Sequence, residues 1–152
     1  HRIACDTALF SLNTNHGIRP QRGEYAYLVH PGISTVSTVA KYAADLPIKI
    51  LANTEKIQAA RHEKLGITEI IFYQPGELRL ENGDILATDT PCALLWKEKE
   101  EKIHAANPRC ESKNPGKITI TLTQSGQTKQ ISLEMPQKEE AGKSCTAPLY
   151  RN

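Results

Sequence analysis

An all-β architecture is what this sequence predicts: an antiparallel β-sandwich with one short helix. Three observations carry that reading. Ile118, Ile120 and Leu122 alternate with Thr119, Thr121 and Thr123, and after Ser125-Gly126 the residues Ile131, Leu133 and Met135 alternate with Gln130, Ser132 and Glu134. A period of two puts one face of each strand in a core and the other in water, and the turn between them makes the pair a hairpin. The pair Asn82-Gly83 marks a second hairpin, and apolar spacing of helical period occurs convincingly once.

Taken in order, Ala8 to Leu12 reads as a strand with no lead-in, and Tyr25 and Tyr27 fall on one face of a further strand. Ser34 or Thr35 can cap a helix whose stripe is Val36, Val39, Ala40 and Ala43. Pro47 ends it, and Ile48 to Leu51 starts a strand. Glu55 to Lys64 is divided: its propensity is helical, with Gly66 as a stop, while the resemblance described below favours a strand. Ile70-Ile71-Phe72-Tyr73 and Ala93-Leu94-Leu95-Trp96 are inner strands, and Leu78-Arg79-Leu80 pairs with Ile85-Leu86-Ala87 through a tight two-residue turn at Asn82-Gly83. Lys97 to Lys102 is a solvated connection of mixed charge, and Gln137 to Lys143 a loose polar stretch.

Composition limits the function classes. The chain has 152 residues, 39% hydrophobic and 24% charged, the balance of a folded domain rather than a disordered segment. A formal charge of +2, with no run of Lys or Arg, gives nucleic acid no footprint. No apolar run approaches the ~18 residues of a membrane-spanning helix. The start, His1 to Asp6, lacks the pattern of a secretory leader, which suits a cytosolic protein or a chain lying inside a longer one, and the strand at Ala8 with no lead-in favours the second. Cys5, Cys92, Cys110 and Cys145 are too widely spaced for a zinc site, so neither metal nor cofactor is expected. Cys92 reads as a buried apolar residue, and a Cys110–Cys145 bridge would pin the tail, although connectivity is not readable from spacing. Phosphate loops, dinucleotide fingerprints, nucleophile elbows and helical zinc motifs are missing.

One set of residues goes further. His16, Gly17, Pro20, Tyr25, Tyr27, Pro31, Asn53, Gln58 and Ala59, in that order and spacing, resemble the C-terminal part of polysaccharide lyase family eight, the chondroitin, hyaluronan and xanthan lyases. Phe72-Tyr73-Gln74-Pro75 is similar to a turn in chondroitin lyases of broad specificity (the chondroitin sulfate ABC lyase type), and the resemblance spans residues 8 to 96. It implies that residues 1–30 supply the final strands, at an edge, of a preceding larger central sheet and that residues 31–152 form the C-terminal sandwich. It also implies an exported parent, extracellular or periplasmic, whose leader lies elsewhere.

The family cleaves uronate polymers by β-elimination, which needs a base at C5, neutralisation of the carboxylate and an acid at the leaving oxygen. His16 and His30 beside Tyr25 and Tyr27 are residues of that chemical type. The resemblance nevertheless places the family's catalytic asparagine, histidine, tyrosine and arginine in a helical domain whose motifs have no match here, so no catalytic residue is assigned. Packing roles are the plainer reading of the matched positions, with Asn53 bonding its own backbone to end a strand. A candidate glycan-binding set remains: His16, Arg19, Arg22 and Tyr25, where arginine forks suit carboxylate and sulfate oxygens. The expectation is a non-catalytic module partnered by the catalytic and central domains of a chondroitin-type lyase. A module gripping anionic glycan, an unrelated adhesion sandwich, and a parent of xanthan or alginate type are the alternatives.

Overall fold

The computed structural model describes residues 13–21, 23–33, 35–109 and 116–149. Two compact units divide the chain, His1–Lys41 and Tyr42–Asn152. Strand Ala8–Leu12 and Cys5 and Cys110 lie outside the described residues.

In the first unit, residues 23–30 form no strand, and Tyr27 is 69% exposed. The expected strand is therefore not formed here. Among the described residues no strand pairs with this segment, and a strand without a ladder is not stable alone. The helix is as expected: α1 spans Val36–Ala44, its last three residues falling in the second unit, and the Thr35 hydroxyl accepts the Thr38 amide at 3.3 Å. None of its residues is buried.

The second unit is the sandwich. Its strands are β1 (Ile48–Asn53), β2 (Ile57–His62), β3 (Ile67–Phe72), β4 (Gly76–Arg79), β5 (Ile85–Thr88), β6 (Cys92–Lys97), β7 (Lys102–Ala106), β8 (Lys117–Gln124), β9 (Gln127–Glu134) and β10 (Cys145–Pro148). They form a six-stranded sheet ordered β1-β2-β3-β6-β7-β10 and a four-stranded sheet ordered β4-β5-β8-β9, antiparallel throughout. Phe72, Trp96, Ile70 and Ile103 from the larger sheet meet Leu86, Ile118, Ile120 and Leu133 from the smaller in one core. Cys92 belongs to it, and burial pushes its thiol up to about 11.

Segment Glu55 to Lys64 resolves as strand. Its residues Ile57 to His62 pair with Phe72 to Ile67 without a slip, so a ladder formed with a distant strand overrides local helix propensity. The Thr54 hydroxyl, rather than the Asn53 side chain, holds the turn into β2 by accepting the Lys56 and Ile57 amides at 3.2 and 3.0 Å. Gly66, at φ +66°, closes a turn by donating to the His62 carbonyl at 3.0 Å. A bulge in β1 carries the pairing from Ile50↔Ala60 to Ala52↔Ala59, which turns both Leu51 and Ala52 toward the core and leaves Ile50 outside.

The Asn82-Gly83 hairpin differs from expectation. Leu80 and Asp84 face each other, Gly83 donates to the Leu80 carbonyl at 3.0 Å, and Gly83 has positive φ while Asn82 does not. That is a three-residue loop, a type I turn followed by a left-handed glycine. Asn82 instead accepts the Asp84 amide and donates to its carboxylate. The β8–β9 turn is the two-residue kind, with φ +48° at Ser125 and +79° at Gly126. Gly126→Ala should cost about 1 kcal/mol in urea denaturation, because a Cβ is disfavoured in the left-handed region. Gly116→Ala, where an added Cβ would meet nothing within 4 Å and φ is not positive, should stay within about 0.5 kcal/mol.

Segment Lys97 to Lys102 is more ordered than a solvated connection. A short 3-10 turn, Glu98–Glu100, turns Glu98 back toward β2, and Glu101 takes φ +52° before β7 begins. Cys145 carries a free thiol whose Sγ lies 2.9 Å from the Glu134 carbonyl.

Candidate functional site

Two groups of side chains merit a functional reading, one in each unit. In the first, Gly17 (φ +81°) and Arg19 (φ +55°) turn the chain sharply, and the Gly17 amide is held by the Asn15 carboxamide at 2.8 Å. The turn returns His16 toward Gly23, where an added Cβ would lie 3.0 Å from its ring. A side chain at 23 would oblige the exposed His16 ring to shift by a few tenths of an ångström. The His16 and Tyr25 rings stand 5.7 Å apart, tilted by 43°, and Tyr25 stacks on Tyr27 at 6.2 Å and 10°. The structure thus brings His16 and Tyr25 together and extends them with Tyr27. Arg19 is exposed, and Arg22 lies outside the described residues. The rings form an open surface for stacking, and Tyr25 and Tyr27 are not the packed residues their pattern suggested.

The second group was not legible in sequence. Lys49, Leu51, Arg61, Glu63, Leu80 and Glu81 line a cavity of about 200 Å³ between the β1–β2 edge and the β4–β5 loop. Lys49 faces Arg61 across the β1–β2 ladder, and two like charges so placed repel. Carboxylates offset this. Lys49 bonds Glu81 at 2.9 Å with Glu63 at 3.7 Å, and these partners raise its pKa, the Glu81 hydrogen bond foremost. Arg61 grips Glu98 with both terminal nitrogens, Nη2 to Oε2 at 2.8 Å, and donates to the buried Thr68 hydroxyl at 3.1 Å. That fork raises the guanidinium pKa against the opposing effect of burial. The alternation in β2 carried the only signal for Arg61, which falls on the core side with Ala59. Each cation here has an acidic partner, so the cavity presents balanced charge to a ligand.

A third juxtaposition concerns two residues of the family-like pattern. The Tyr73 hydroxyl donates to the Gln58 carboxamide at 2.9 Å on the outer side of β2 and β3.

With the geometry in place, the comparisons decide the family. Residues 49–116 match the polysaccharide lyase family 8 C-terminal β-sandwich domain. The chain belongs to polysaccharide lyase family 8. The chain is 39% identical over 136 residues to the chondroitinase-AC of Pedobacter heparinus, covering 88% of this chain and 19% of that enzyme. It is 35% identical over 81 residues to a hyaluronate lyase of Thermasporomyces composti, covering 53% of this chain and 10% of the relative. A chondroitinase AC lyase structure from work on enzyme–oligosaccharide complexes superposes with TM-score 0.68 at 30% identity, over 77% of this chain and 17% of the other. The chain thus spans about a fifth or less of the relatives it matches. The family match runs to residue 116, past residue 96 where the sequence resemblance ends. The missing strand in the described part of 13–30 would on its own favour an unrelated adhesion sandwich, and the family match rules that out.

Proposed function

We propose that this lyase domain is a structural module of an exported enzyme that cleaves a chondroitin-type uronate polysaccharide by β-elimination, with the chemistry seated in the rest of the parent. The observation that carries the reading is proportion: the chain matches 19% of a chondroitinase-AC, and residues 49–116 match the family's C-terminal β-sandwich domain. The surface of the first unit supports it. Ile18, Tyr27 and Val29 lie in an open segment, largely exposed, as residues of a sheet would when its other strands lie elsewhere in the parent. On this reading residues 1–30 complete that central sheet and residues 31–152 are the sandwich proper. Incubated with chondroitin sulfate, the chain should generate no ultraviolet absorbance from unsaturated uronate, and appreciable turnover would refute the reading.

The stacked rings favour a second reading, in which His16, Arg19, Arg22 and Tyr25 hold anionic glycan. Titration with chondroitin sulfate oligosaccharides at two salt concentrations separates the two. The structural reading expects no binding at moderate salt, whereas a true site keeps affinity there and loses it on Tyr25→Ala.

A further inference from the structure

We infer that the outer face of the six-stranded sheet is a docking surface for the remainder of the lyase chain, an inference that rests on the structural-module reading and names the face through which it works. The two outer faces of the sandwich differ in kind. On the smaller sheet, Thr119, Thr121, Thr123, Thr128, Gln130 and Ser132 meet water with hydroxyls and carboxamides, and Ile85 and Ala87 are the half-buried apolar residues among them. On the larger sheet, Ile50, Ala60, Ile71, Ala93 and Leu95 occupy outward positions of β1, β2, β3 and β6, with Tyr73 just past the end of β3 and the polar Gln58, His62 and Glu69 among them. Ladder register makes them one patch: Ile50 faces Ala60, and Gln58, Ile71 and Ala93 form the adjoining row.

Within this patch Ile50 is 56%, Tyr73 49% and Ile71 39% exposed. The bulge in β1 is what keeps Ile50 outward while its neighbours enter the core. Contiguous apolar surface of this kind marks an interaction site. The occupant follows from length: four-fifths of the Pedobacter enzyme has no counterpart in this chain, ample to cover one sheet face. Glu69, between Ala60 and Leu95, adds a requirement. A covered carboxylate needs partners, so the docking segment presents an apolar surface with a cation or hydrogen-bond donor opposite Glu69.

Hydroxyl-radical footprinting of the intact lyase against the 152-residue chain tests this by mass spectrometry. Oxidation of Ile71 and Tyr73 should fall about fivefold in the intact enzyme as half-exposed side chains enter an interface core, while Thr121 and Ile85 stay unchanged. Ile71→Lys in the intact enzyme should return Tyr73 to the reactivity it has in the chain alone. Protection on the Thr121 face instead overturns the assignment of the face but leaves the structural module standing. No protection at any residue of the chain overturns both. Protection of Tyr73 that rises with the concentration of the isolated chain makes a second copy the occupant and overturns the inference.

Discussion

Phe72→Ala should lower the unfolding free energy of the sandwich by about 3–5 kcal/mol, the range for truncating a fully buried aromatic. Phe72 is 0% exposed, ends β3 opposite Cys92 on β6 and Ile57 on β2, and joins the core shared with Leu86 and Ile120. A cavity there sits between two sheets held by their own ladders, which limits collapse and puts the cost toward the upper end. The paired control is Tyr27→Ala, which should change stability by less than about 0.5 kcal/mol because its ring is largely in water. Urea unfolding of both, read by circular dichroism, checks them together. A Tyr27 effect near 3 kcal/mol would show that its ring is packed, contrary to the structure.

The second large effect belongs to Glu98. Its carboxylate receives both terminal nitrogens of Arg61, and the two side chains are 30% and 21% exposed. Removing one partner of a buried pair strands the other, at about 3–5 kcal/mol when burial is complete. With partial exposure here, Glu98→Ala should cost about 2 kcal/mol. The double change Arg61→Met with Glu98→Leu should cost less than the sum of the single changes, since no charge is then left without its partner. Additive costs in that cycle would show that the fork contributes nothing beyond its two side chains.

How legible the molecule was in its sequence depended on the range of the interaction. The β8–β9 hairpin was fully legible, because alternation and Ser125-Gly126 are local signals that the tertiary fold agrees with. The β4–β5 hairpin was right in place and wrong in turn type, since Asn82 spends its side chain on Asp84 rather than entering the left-handed region. β2 was ambiguous because helix propensity is written in the segment while its ladder partner lies in β3. The β1 bulge and the Arg61–Glu98 fork were invisible, the latter joining residues 37 apart. Of the candidate site, the sequence grouped His16 with Tyr25 but showed neither the contact of their rings nor the exposure of both tyrosines. Alternation names a face and does not say whether that face is covered.

The central claim is that this domain supports an active site it does not contain. Its most direct test is one assay on three proteins: the intact lyase, the lyase without these residues, and this chain alone, each with chondroitin sulfate and followed by unsaturated uronate absorbance. The account predicts turnover by the intact enzyme, turnover that decays faster on warming when the module is removed, and none from the chain. Unsaturated product released by the chain alone would contradict it.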